Sequence, residues 1–140
     1  MNFETKITEI MSIKLTTVHP KDSIETAEVL FKRIHKNILP VVVNQELRGV
    51  LLRRDFKNLA MTKTYIRTSF GDKITIQNMI VEDYMTREVS AFSTEMTIKD
   101  AIQFFIENTQ YYIPIIDQNK LVGFITPHDV FKFIMKTEFE

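Results

Sequence analysis

ILPVVVNQELRGVLLRRDF, residues 38 to 56, and YIPIIDQNKLVGFITPHDV, residues 112 to 130, are two versions of one pattern. Each has an apolar run opening on Pro, a polar turn, a second apolar run around a Gly, and an Asp near its end. The offset between them, 85 − 11 = 74 measured from Met85 and Met11, holds without a gap from Ile7–Ala60 against Val81–Ile134. Met11, Ile24, Ala27, Phe31, Pro40, Leu47, Gly49 and Asp55 recur as Met85, Ile98, Ala101, Phe105, Pro114, Leu121, Gly123 and Asp129. A constant offset with matching residue classes over this length marks an internal repeat.

Both copies parse into the same elements. Short apolar strands are expected over Leu15–Val18 and Val89–Phe92. Helices follow over about Ser23–Lys36 and Thr97–Asn108, with Ser23 and Thr97 as N-caps whose side-chain oxygens suit an orphan N–H. Ile24, Ala27, Phe31 and Ile34 recur at helical spacing, as do Ile98, Ala101, Ile102 and Phe105, giving each helix one apolar face. Two β-rich runs around NQE and QNK read as buried hairpins, with Pro40 and Pro114 at strand starts. A last helix opens near Arg53 or Pro127. The unit is β-α-β-β-α, twice. For the link, Met61–Ile80, the expectation is a helix tail, a loop near Gly71 and a short helical turn before Val81, with a second turn over Ile7–Met11.

Composition narrows the function. The 140 residues fit a single module, long enough to bury a core without cross-links. Lys plus Arg is 18 and Asp plus Glu is 18, and that balance argues against a general nucleic-acid binder, which needs a cationic surface. There is no Cys, which excludes disulfide and thiolate chemistry and fits a cytoplasmic protein. No apolar run has the length of a signal core or a membrane span, so the expectation is a soluble chain with no membrane partner. His19, His35 and His128 are not spaced as metal ligands, and three Gly leave no phosphate-cradling loop. No metal site, no required cofactor and no catalytic residues are expected, hence no enzyme.

The tandem repeat, with its h-P-h-h-D/N and G-h-h-T-x-x-D patterns, resembles a pair of CBS domains, the Bateman module, over about residues 7 to 137. The Met of EIMS and DYMT is similar to that family's opening. The resemblance implies an α+β fold of two β-α-β-β-α motifs packed sheet to sheet with pseudo-two-fold symmetry. Residues 7–60 would be motif 1, 61–80 the connection and 81–137 motif 2, in one module over 1–140. It also implies a stand-alone regulatory module acting through its own homodimer or a protein partner in trans. Its ligand would contain adenosine: AMP, ADP, ATP, S-adenosylmethionine or cyclic di-AMP.

The candidate site residues follow from GFITPHD, residues 123 to 129, and its echo GVLLRRD, residues 49 to 55. Thr126, Pro127 and Asp129 make a good helix start: N-cap, first-turn Pro, and an acid three residues on. The echo keeps Asp55 where Leu52 cannot cap, so the acid asks for a second role. By resemblance that role is the ribose diol, whose two donors match a carboxylate, while Thr126 and the helix amides face phosphate. The resemblance also carries Thr16 and Val18 to the base of a main cleft. Within the same loop His128 reads as a phosphate contact or a solvent-facing residue, and Tyr112 as a lining or a core aromatic. In a second cleft Arg53, Arg54 and Asp55 stand with Asn37 and Ser90 as matching positions, the arginines either reading phosphate or forming a solvated helix start. Phe131, Ile134 and Met135 on the last helix read as a dimer seam or as core. Two rival functions remain: a ligand-free interaction scaffold, and nucleic-acid binding through Arg53, Arg54, Lys57, Lys63, Arg67 and Lys73.

Overall fold

The computed structural model describes residues 2–55, 65–67, 73–75 and 79–139. The chain divides into two compact units, Thr16–Val89 and Met1–Leu15 joined with Ser90–Glu140. The two boundaries lie one sequence period apart (90 − 16 = 74) and fall inside the copies, after the opening segment of each.

In the Thr16–Val89 unit, helix α1 (Ile24–Ile34) is followed by strands β1 (Ile38–Val43) and β2 (Glu46–Leu52), an antiparallel hairpin. Val18 adds one parallel bridge to Val41, so the expected strand over Leu15–Val18 contracts to a single residue. Ile24, Ala27 and Phe31 of α1 pack on Leu39, Val41 and Leu51 with Met79 and Val81. α1 starts where Ser23 accepts the Thr26 N–H and stops at His35, whose φ of 54° is left-handed. A second antiparallel pair, β3 (Tyr65–Arg67) and β4 (Lys73–Thr75), lies in the connecting segment, where a helix tail and a loop were expected. The expected tail and Gly71 fall outside the described residues. A 3₁₀ turn occupies Val81–Asp83.

The other unit repeats the scheme. A 3₁₀ turn (Ile7–Glu9) precedes β5 (Phe92–Ser93), helix α2 (Ile98–Glu107), strands β6 (Ile113–Asp117) and β7 (Lys120–Ile125), and helix α3 (Pro127–Phe139). β5 runs parallel to β6, which pairs antiparallel with β7. The core joins Ile98 and Ala101 to Ile113, Ile115 and Ile125, with Ile7, Met96 and Val130. Both hairpins turn through two left-handed residues, Asn44 and Gln45 (φ 51° and 70°) and Gln118 and Asn119 (φ 49° and 65°). That geometry matches the twist of the flanking strands.

The segment that precedes each copy in sequence completes the unit of the other copy. Thr86 exchanges two backbone hydrogen bonds with Val50 on the edge of β2, at 2.8 and 3.0 Å. Ser12 does the same with Phe124 on β7, at 3.0 and 3.1 Å. The helix starts are closed in the same way, Ile24 N–H donating to Met79 and Ile98 N–H to Thr5. Gly49 and Gly123 make room for these crossings. A Cβ on Gly49 would run into the Thr86 carbonyl, and one on Gly123 into the Met11 side chain. Among the described residues no helix is long and apolar enough to cross a membrane.

Candidate ligand-binding site

The two strand-to-helix junctions carry the expected site residues, and they are built differently. At the end of β7, Thr126 leads into α3 with Pro127 at its first position, where a missing N–H costs nothing. Half of the expected capping box forms, the half in which the acid reaches back to the Thr126 N–H. One carboxylate oxygen of Asp129, Oδ2, accepts the Thr126 backbone N–H at 2.9 Å and faces the Thr126 hydroxyl at 3.3 Å, the hydroxyl donating. The Asp129 N–H instead donates to the Thr126 carbonyl at 3.0 Å. Both lone-pair positions of Oδ2 are thus used, while Oδ1 makes no hydrogen bond among the described residues. His128 is exposed, on the second residue of α3.

At the end of β2, Leu52 is buried and Arg53 begins the turn, its N–H donating to the Asn37 carbonyl at 2.9 Å. The Arg53 side chain turns back onto α1, where Nη2 donates to Glu28 Oε1 at 2.9 Å. Both side chains are largely covered, 26% and 19% exposed. Arg53 Nε and Glu28 Oε2 are buried without partners. Arg53 therefore spends its charge on Glu28, which corrects both readings of it, phosphate reader and solvated helix start. Arg54 and Asp55 are exposed, with Nε and Oδ1 4.0 Å apart, a weak pair.

Other expected residues are accounted for inside their own units. Val18 is 2% exposed within the core, its N–H bound to Pro40 and its carbonyl to the Val42 N–H. Its side chain is thus held in the core, while its carbonyl keeps a second lone pair. Tyr112 is 4% exposed and stacked on Phe124, with ring centroids 5.9 Å apart, a core aromatic. Ser90 donates its N–H to Gln110 Oε1 and accepts from Gln110 Nε2. Thr16 is half-buried at the first position of the Thr16–Val89 unit, whereas Thr126, His128 and Asp129 belong to the other. Among the expected site residues, hydrogen bonds join Thr126 to Asp129 and Arg53 to Asn37.

Sequence reasoning passed over a groove of about 540 Å³ beside α3, which Asp129 lines together with Lys6, Lys132, Phe133 and Lys136. The available signal was the spacing of 129, 132, 133 and 136, one face of a helix.

The model of the CBS domain matches residues 7–61 and again 81–136, so the chain belongs to the CBS-domain family, as a tandem pair. Among curated relatives, the CBS domain-containing protein YhcV of Bacillus subtilis (strain 168) is 27% identical over 126 residues, 90% of this chain and 83% of its own length. An inosine-5'-monophosphate dehydrogenase of Korarchaeum cryptofilum is 28% identical over 82% of this chain, which spans only 21% of that enzyme. The CBS-pair protein CBSX2 of Arabidopsis thaliana shares the fold, at 21% identity with a TM-score of 0.78, covering 97% of this chain and 98% of that one. CBSX2 in complex with AMP gives a TM-score of 0.75 at 21% identity, covering 96% and 98%.

Proposed function

We propose that this CBS pair is a regulatory module, not an enzyme, that binds an adenosine-containing ligand at the start of α3, where Asp129 accepts the ribose hydroxyls. The observation that carries this reading is the division of labour within one carboxylate. Oδ2 closes the helix start on Thr126, and Oδ1 is left with two lone pairs, enough for a cis-diol. Capping and gripping are therefore compatible in the same residue. Thr126 and the first amides of α3 stand beside it for phosphate, with His128 exposed in the same turn. The AMP complex of CBSX2 supports the ligand class, with AMP, ADP, ATP, S-adenosylmethionine and cyclic di-AMP as its members. Binding regulates to the extent that the ligand prefers one of two states of the module.

A thermal-shift panel of these five compounds on the wild-type chain and on Asp129→Ala tests the reading. A ligand at 100 times its Kd stabilises by about 2.7 kcal/mol, a shift of several degrees. The expected outcome is a shift with one or more adenosine compounds that Asp129→Ala abolishes while its ligand-free melting stays within a few degrees. An unshifted panel sinks the reading, as does an Asp129→Ala variant that responds like the parent.

A second reading, assembly with a second copy or with a protein partner, rests on Phe131 and Met135, one turn apart on α3 and 63% and 60% exposed. A chain that sediments as a monomer and captures no protein partner would remove it.

A further inference from the structure

Lys132 and Lys136 lie one turn apart on α3, on the face that begins with Asp129. Like charges at this spacing repel and weaken a helix slightly. Among the described residues neither lysine forms an ion pair. Both line the groove of about 540 Å³, within the range of small-molecule sites, together with Lys6. Phe133 adds an apolar side chain to the same lining. Glu9 and Asp129 are the acids on the lining, against three lysines, one of which, Lys6, is tied to Glu95 at 2.9 Å. Lys132 and Lys136 are thus the lining cations left for an anion. In sequence, the first-copy counterpart of Lys132 is Asn58, so the lysine pair is not repeated there.

We propose that this groove holds the phosphate chain of a nucleoside polyphosphate, so that the second-copy site prefers a di- or triphosphate to a monophosphate. The inference rests on the adenosine reading for the position of the ribose at Asp129. At 1.5 Å per residue, Lys132 and Lys136 stand about 4.5 and about 10.5 Å along α3 from Asp129. A monophosphate held at the first amides of α3 stops short of the lysines, and a longer chain turned along the helix is needed to reach them. Ammonium groups on flexible stems suit this task, because successive phosphates present charge without a fixed planar geometry.

Calorimetric titration of the full chain with adenosine, AMP, ADP, ATP and inorganic tripolyphosphate tests it, on wild type and on a Lys132→Gln/Lys136→Gln variant. Gln keeps helix propensity at exposed positions, so the fold is retained. Wild type is expected to bind ATP and ADP more tightly than AMP. The variant should lose about tenfold in ATP affinity, the scale of one or two charge-assisted contacts, while adenosine binding stays within about twofold. Added salt should narrow the wild-type preference. An unchanged ratio of ATP to AMP affinity in the variant overturns the groove and leaves the adenosine site standing. If tripolyphosphate binds wild type but not the variant, and no adenosine compound binds either, the ribose reading falls and the polyanion groove stands. If neither tripolyphosphate nor any nucleotide binds wild type, both fall.

Discussion

The two strand-to-helix junctions occupy equivalent places in the two copies, yet Thr126–Asp129 turns its polar groups on one another while Leu52–Asp55 turns them away. Leu52 joins the core and Arg53 crosses to Glu28 on α1. At the positions of Glu28 and Arg53 the second copy carries Ile102 and Pro127, so one copy has an ion pair where the other has two apolar residues. A basic residue at a helix start is therefore not by itself a phosphate reader, since a nearby acid can take its charge. An acid there can be shared between the helix and a ligand, because it has an oxygen for each.

The sharpest way to break the equivalence of the copies is at Gly49 and Gly123. A methyl on Gly49 meets the Thr86 carbonyl, backbone that is held to Val50 by two hydrogen bonds. A methyl on Gly123 meets atoms of the Met11 side chain, which has rotatable bonds with which to yield. Gly49→Ala should therefore destabilise its unit by about 2–3 kcal/mol, and Gly123→Ala by under about 1 kcal/mol, part of it offset by the gain in strand propensity. Denaturant unfolding of both variants measures the difference. Equal losses would mean that the crossing segments are equally stiff and that the distinction between carbonyl and side chain is immaterial.

The next contrast is the ion pair. Arg53→Ala leaves the largely covered Glu28 carboxylate without its closest cation, Lys32 being 3.8 Å away. A loss of about 1–2 kcal/mol is expected, less than for a fully buried pair because both groups keep some exposure. Transplanting the apolar character of the second copy, as Glu28→Ile/Arg53→Leu, should restore the loss or exceed it, since two buried unpartnered atoms disappear. A double variant weaker than Arg53→Ala would show that the pair contributes net stability despite its unsatisfied atoms.

Local chemistry and long-range packing divide between them what the residues disclose. The repeat, the helix starts at Ser23 and Thr97 and the two hairpins are legible in the sequence because capping chemistry, apolar period and β-branched runs are local. The crossing segments are not. Ile7 packs with Met96 and Ile98, and Val81 with Ile24 and Phe31, pairings that a sequence period does not encode. β3 and β4 escape notice because a three-residue pair is too short to show alternation. At the site, an Asp three residues past a Thr is visible, but the direction of the hydrogen bonds between them is not. Nor can spacing alone show that Arg53 meets Glu28, since that contact joins α1 to a turn two strands later. Val18 enters the site only through the family resemblance, and Tyr112 reads in sequence as lining or as core; the burial of both side chains is a property of packing that spacing does not carry.

The smallest contrast lies in how the first long helix of each copy begins. α2 has a complete capping box: Asp100 accepts the Thr97 N–H at 3.0 Å and its own N–H donates to Thr97 Oγ1 at 3.1 Å. α1 has half of one, because Thr26 stands where Asp100 would be: its N–H donates to Ser23 Oγ at 3.0 Å, and its own hydroxyl accepts from the Ser23 hydroxyl at 2.9 Å. The hydrogen bond from the Thr97 backbone, followed by that from its side chain, holds the Asp100 carboxyl below the usual carboxylate range. A carboxyl with a depressed folded-state pKa stabilises the fold above its unfolded pKa. That contribution fades as the pH falls through the ordinary carboxylate range and is gone once the folded group is protonated. Acid should therefore weaken the start of α2 and leave the start of α1 unchanged, because no titrating group closes α1. Carboxyl NMR titration should place Asp100 below the exposed carboxylates, and Asp100→Asn should cost under about 1 kcal/mol near neutral pH and nothing below the folded pKa. A loss in Asp100→Asn that persists at low pH would mean that side-chain shape, rather than charge, closes the helix.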